Sequence, residues 1–223
     1  MTKKLLVTAL TRCTLGIILV FLLIFLPAGT LHFPKGWLLM GVLFLPMLIA
    51  GFVMMIKNPS LLEKRLKADE KQKEQKAVIG ISALMFVLGF VVAGLDFRFG
   101  WLRLPNIVTV IATAVFLLAY LLYARVLREN TYLSRTVEIQ ENQKVIDTGL
   151  YAIVRHPMYL SSILLFLSMP LILGSLYSFA VFLVYPFVIA KRIKYEERLL
   201  EKELSGYKEY KQKVKYRLLP FVW

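Results

Sequence analysis

Five stretches without a single charged side chain set the terms on which this chain can fold: Cys13–Leu31, Gly36–Ile56, Ala77–Leu95, Leu104–Ala124 and Met158–Ala190. A helix of about 20 residues crosses the roughly 30 Å hydrocarbon layer of a bilayer, and the first four stretches have that length. The fifth would be about 50 Å long as one straight helix, too long for a single crossing. Pro170, Gly174 and Ser175 stand near its middle. The expected form is a hairpin of two shorter helices, with one tilted, kinked helix as the alternative. The fold class expected is therefore all-α: a polytopic membrane helical bundle with four spans, a C-terminal helical hairpin and an amphipathic tail. Residues 1–223 form one integral membrane domain, with the N-terminal spans in 1–124 and the polar, chemistry-bearing half in 125–223.

Composition agrees, since 58% of the residues are hydrophobic while the formal charge is +14. Such a basic balance also suits nucleic acid, but the charge lies between the apolar runs and at the C-terminus. Anionic headgroups and orientation rules explain it there without a nucleic-acid partner. The segment Lys57–Lys76 carries seven lysines and arginines, and Arg125–Pro157 and Lys191–Arg217 are also basic. The short segments His32–Lys35 and Asp96–Arg103 carry one and two. The positive-inside rule then puts the N-terminus, the three basic segments and any site they build in the cytosol. Lys3, Lys4 and Arg12 before the first run resemble the start of a secretory signal, but no clear small-x-small cleavage site follows and further spans do. Asn58-Pro59-Ser60, with Glu63 three residues after Ser60, predicts a capped amphipathic surface helix. Beyond Ala190, Ile193, Leu199, Leu200, Leu204, Tyr207, Tyr210 and Val214 recur at helical spacing on a charged background, as in a helix lying against the membrane or the core.

Cys13 is the only cysteine, and His32 and His156 are the only histidines. No intrachain disulfide or multi-cysteine metal site is possible, and an HExxH zinc protease is excluded. The spans are nearly devoid of ionisable groups, which speaks against an ion or polar-solute transporter. The polar groups gather in Arg125–Tyr159 and Lys191–Arg217, which the hairpin brings together. Gly149 permits a turn; Pro157 holds His156 out of helical geometry and starts the helix behind it. Amides at that helix start suit a carboxylate, with His156 and Tyr159 at the mouth. The plainer reading of His156 is an interfacial side chain bonded to the helix end. Arg192 and Glu196 stand four apart on one helical face beside Glu197, where an ordinary surface ion pair contributes only about 0.3 kcal/mol. Arg155 reads as an anchor at the cytosolic edge.

Gly149-x-Tyr151, "VRHPMY" (Val154–Tyr159), "RIKYEERLL" (Arg192–Leu200), Tyr207-x-x-Tyr210 and "RLLP" (Arg217–Pro220) form an ordered series. Over roughly Glu129–Pro220 it resembles the isoprenylcysteine carboxyl methyltransferases and related phospholipid methyltransferase-like membrane enzymes. The resemblance implies methyl transfer from S-adenosylmethionine to a lipid-like or prenylated acceptor that enters from the membrane. It implies a cofactor site in 125–223 formed by Gln143, Lys144, Val145, Ile146, Tyr151, His156, Pro157, Met158, Tyr159, Glu196 and Glu197. Arg192 meets the acceptor, and Arg192 and Glu196 flank the reacting centre. The family position that falls on Thr136 often holds a longer amide, and Leu160-Ser161 replaces the glycine that usually follows the tyrosine.

The residue types fit that chemistry. A partly desolvated Glu196 favours a sulfonium or ammonium, and the planar fork of Arg192 suits a carboxylate acceptor. An ionised carboxylate needs no general base, only in-line alignment and exclusion of water. An amine acceptor, as in phospholipid N-methylation, needs a base, for which His156 or Glu197 is a candidate; a thiol is a further acceptor class. Steroid-type NADPH-dependent membrane reductases share an RHPNY-like step and a YR-x-x-P ending, and they are the rival from another enzyme class.

Overall fold

The structure is a computed structural model that describes residues 3–66, 73–134, 136 and 139–223, without the side chains of 73 and 74. It is helical, with no strand among the described residues. The elements are α1 Lys3–Ala28, α2 Pro34–Lys57, α3 Pro59–Leu66, α4 Lys73–Phe99, α5 Asn106–Glu129, α6 Pro157–Leu173, α7 Leu176–Phe182, α8 Val184–Glu203 and α9 Tyr207–Lys213, with a 3₁₀ turn at Gly149–Ala152. Five apolar helical stretches are long enough to cross a membrane: α1, α2, most of α4, α5, and the run from Leu176 through α8. Leu19, Leu26, Leu45, Ile49, Phe52, Leu118 and Leu121 are exposed on these helices. Side chains of that kind suit hydrocarbon and would be a liability in water.

The fifth apolar run does fold as a hairpin. Gly174 takes the left-handed conformation at φ 80° that only glycine adopts without strain, and Ser175 Oγ caps the next helix by accepting from the Ser178 amide at 3.1 Å. Pro170, also a predicted breaker, lies inside α6, where its carbonyl accepts from the Ser175 amide at 3.0 Å. Glycine and serine therefore make the turn. The predicted cap of the surface helix is also displaced. Asn58 caps α3, its Oδ1 accepting from the Leu61 amide at 3.2 Å and from Ser60 Oγ at 2.8 Å, with Pro59 at the first helical position. Residues 67–72 of that basic loop lie outside the described residues.

α6 is the central helix, packed on α2, α4, α5, α7 and α8. Leu165, Met169, Ile172 and Leu173 of α6 join Phe116 of α5, Phe182 of α7 and Ile193 of α8 in one buried core. At one end of the bundle the three short turns meet. Phe33 stacks on Phe97 at 3.9 Å, Trp101 packs edge-on against Tyr177 at 5.6 Å, and the Lys35 side chain lies against Gly174. The opposite end holds α3, the segment after α5, the start of α6, the end of α8 and the tail.

Candidate functional site

The site grows from the turn that ends the loop after α5. Gly149 has φ 58° and lies so close to Glu129 that a Cβ there would stand 2.5 Å from the carboxylate carbon. Glu129 accepts from the Leu150 amide at 2.8 Å and from Arg125 Nε at 3.0 Å, pinning the 3₁₀ turn to the end of α5. The turn buries Tyr151, whose hydroxyl accepts from Asn130 Nδ2 at 3.1 Å and whose carbonyl accepts from the Tyr210 hydroxyl at 2.7 Å. Main-chain bonds then tie the Arg-His-Pro step to the tail: the Arg155 amide donates to Tyr216 O and the His156 amide to Arg217 O, both at 2.9 Å.

This pairing narrows the picture of open amides at the helix start. Pro157 has no N–H, the amides of Arg155 and His156 serve the tail, and that of Tyr159 donates back to the His156 carbonyl at 3.1 Å.

The adjacent glutamates of α8 occupy different environments. Glu197 is 2% exposed. Its Oε1 accepts from Arg155 Nε at 2.8 Å and faces His156 Nε2 at 3.2 Å, and its Oε2 accepts from Arg217 Nε at 2.9 Å. Glu197 lies beyond Ala190, where the apolar run ends. Burial alone would push its carboxyl up, but the hydrogen bond to His156 and those from the two arginines outweigh it and bring the group to about 2. Arg155 also donates to the carbonyls of Val214 at 2.6 Å and Lys215 at 2.8 Å. Arg155 is therefore a buried hub and not an anchor at the edge. Glu197 reaches His156 across the hairpin, and Glu196 does not.

Glu196 instead accepts from the Tyr159 hydroxyl, which in turn accepts from Arg192 Nε at 2.9 Å. The phenol of α6 thus joins the cation and the carboxylate of α8. Both line a cavity of about 100 Å³ that is open to solvent. Its walls include Gln143, Lys144, Val145, Ile146, Tyr151, His156, Met158, Tyr159, Arg192 and Glu196, so all the predicted site residues except Pro157 and Glu197 line one space. Those two lie in its supports: Pro157 is buried at the first turn of α6, and Glu197 holds His156. Thr136 also lines the cavity, its short hydroxyl 3.0 Å from Ser134 Oγ.

Sequence reasoning did not find several contributors. Asn130, Tyr132 and Ser134 supply one wall, and Leu199, Leu200 and Leu204 supply apolar surface. Tyr207 and Tyr210 supply rings 5.7 Å apart. Burial pushes the phenols of Tyr151, Tyr207 and Tyr210 up, so each stays neutral and offers an O–H. The Tyr207 hydroxyl has no hydrogen-bond partner among the described residues. The tyrosine pair was visible as Tyr207-x-x-Tyr210, but its spacing alone does not place it beside Tyr151.

Chemically, the described residues offer the space one carboxylate joined through a phenol to a guanidinium, several neutral phenols and an apolar floor. A cation is favoured by Glu196 and by ring faces, and an anion by Arg192. Residues 107–206 match the family model described as phospholipid methyltransferase. The matched segment runs from α5 to the end of α8 and contains both the Arg-His-Pro step and the glutamate pair; Tyr207, Tyr210 and Arg217 lie beyond it. No curated protein sequence matches the chain.

Proposed function

We propose, for a chain whose residues 107–206 match the phospholipid methyltransferase family model, a family of membrane methyltransferases related to the isoprenylcysteine carboxyl methyltransferases, that it methylates a lipid-like acid at the cytosolic face of the membrane. One observation carries the reading: ten residues expected at a cofactor and acceptor site line a single cavity beside the bundle.

S-adenosylmethionine, the methyl donor proposed, supplies an electrophilic methyl on a sulfonium. The donor set fits such a group, because Glu196 offers the only carboxylate among the described residues of the cavity lining, beside several phenols, and the apolar floor accommodates uncharged parts. Gln143–Ile146, Tyr151, His156, Met158 and Tyr159 hold the cofactor. Glu197 fixes His156 from behind, so the imidazole positions and does not shuttle protons. Arg192 binds the acceptor anion, and Tyr159 sets its separation from Glu196. With an acceptor already ionised at neutral pH, these residues have only to align the partners and exclude water.

A second reading, methylation of a phospholipid amine, is favoured by the description of the matching family. An amine must lose a proton, and Glu196 is the carboxylate within the cavity to take it.

Methyl transfer from labelled S-adenosylmethionine to a panel of prenylcysteines, phospholipid amines and thiols in liposomes tests the proposal. Carboxyl methylation that falls at least 100-fold in Arg192→Leu, with cofactor binding retained, supports an acid acceptor; the figure corresponds to losing a buried charge-assisted pair, on the order of 3 kcal/mol. Turnover of amines alone would select the second reading, and binding of NADPH without S-adenosylmethionine would overturn both.

A further inference from the structure

Among the described residues, the side chains lining the cavity come from 130–210, yet one element of the N-terminal half touches its wall. α3 leaves the end of α2 through the Asn58 cap and buries Leu61 and Leu62. Its cations turn toward the stretch after α5. Lys64 Nζ donates to Thr131 O at 3.4 Å and lies 5.9 Å from the centre of the Tyr132 ring. Arg65 Nη1 reaches Ser134 O at 3.3 Å and Met158 Sδ at 3.7 Å, while Nη2 donates to the Tyr123 hydroxyl.

These contacts have a definite geometry. Tyr132, Ser134 and Met158 line the cavity, and one guanidinium spans α5, the wall and the mouth of α6. The hydrogen bonds described for the side chains of Tyr132, Ser134 and Thr136 otherwise run within the loop: the Tyr132 hydroxyl donates to Asn142 O at 3.3 Å, and Ser134 Oγ lies 3.0 Å from Thr136 Oγ1. A wall knitted mainly to itself must still be ordered relative to the helices before it can bind, and ordering backbone costs entropy. A planar fork with several donors can meet a carbonyl, a sulfur and a phenol together; a lysine ammonium on a flexible stem cannot do so equally well.

We propose that Arg65 is a positioning residue for the cofactor cavity, holding the Tyr132–Ser134 wall against Met158 so that the N-terminal half sets the affinity of a site lined by the C-terminal half. The proposal rests on the reading that this cavity takes S-adenosylmethionine.

The test is calorimetric titration of the purified full chain in detergent with S-adenosylmethionine, together with thermal unfolding. Arg65→Leu is expected to weaken binding roughly 3- to 10-fold, the range for one or two lost hydrogen bonds, without lowering the unfolding midpoint. Arg65→Lys is expected to recover part of the affinity, and it carries the test if the leucine variant fails to fold. Equal affinity in wild type and both variants would overturn this proposal alone. Parallel loss of affinity and stability, unrescued by lysine, would also overturn it, because Arg65 would then only hold the fold. A wild type that binds no S-adenosylmethionine would overturn the reading of the cavity, and this proposal with it.

Discussion

Neighbouring residues of one kind can do opposite work, as the two glutamates of α8 illustrate. Glu196 borders open space, and Glu197 is sealed among Arg155, His156 and Arg217. Removing one partner of a buried ion network leaves uncompensated charge, so Glu197→Gln should destabilise the protein by about 3 kcal/mol at neutral pH. The folded carboxyl lies at about 2, below its ordinary 4.5. The stabilisation is therefore complete above the ordinary value and is lost as pH falls through the folded one. Thermal unfolding in detergent should show a midpoint that falls on acidification in wild type. In Glu197→Gln the midpoint should already be lower by several degrees at neutral pH, with a shallower acid slope. An unchanged slope would reject this role. The sequence singled out this glutamate pair. It did not reveal which member faced the cavity, because adjacent helical residues differ by about 100° in direction and only the packed partners decide.

At the scale of elements, the apolar runs were legible because the bilayer imposes one length on every crossing helix. Boundaries set by caps were less so: Asn58, not Ser60, starts α3, and Pro170 stays within α6. Helix contacts were invisible for another reason, since they depend on what faces a given residue. A Cβ on Gly94 of α4 would stand 2.5 Å from the Ile24 carbonyl of α1, whereas Gly80 of the same helix has nothing within 4 Å. Small residues allow such close approach between membrane helices. Gly94→Leu must push α1 and α4 apart and should cost about 1–3 kcal/mol. Gly80→Ala should be neutral or slightly stabilising, because alanine is the better helix former. Unfolding midpoints of the two variants measure the difference, and equal effects would mean that the α1–α4 approach carries little of the stability.

At the scale of the whole molecule, the bundle has two unlike ends. One gathers Trp37, Trp101 and Tyr177 around short turns, each side chain about half exposed, as in the aromatic belts of membrane interfaces. The other gathers the loop, the tail and the cavity. The side-chain half of this site was legible in its motifs. The pairing of the Arg155 and His156 amides with the carbonyls of Tyr216 and Arg217 was not, because main-chain bonds between segments some 60 residues apart leave no side-chain signature. This closure has a consequence for topology. The tail can complete the site only if the hairpin returns it to the side from which α6 departs; a hairpin that crosses fully then puts the aromatic turn and α9 on opposite faces of the membrane. In a Cys13→Ser background, Tyr177→Cys should react with an impermeant maleimide in intact cells, and Glu209→Cys, on exposed α9, only after lysis. Labelling of both from the same side would mean that the hairpin does not cross, and labelling of Glu209→Cys in intact cells would rule out a cavity closed by the tail at the cytosolic face.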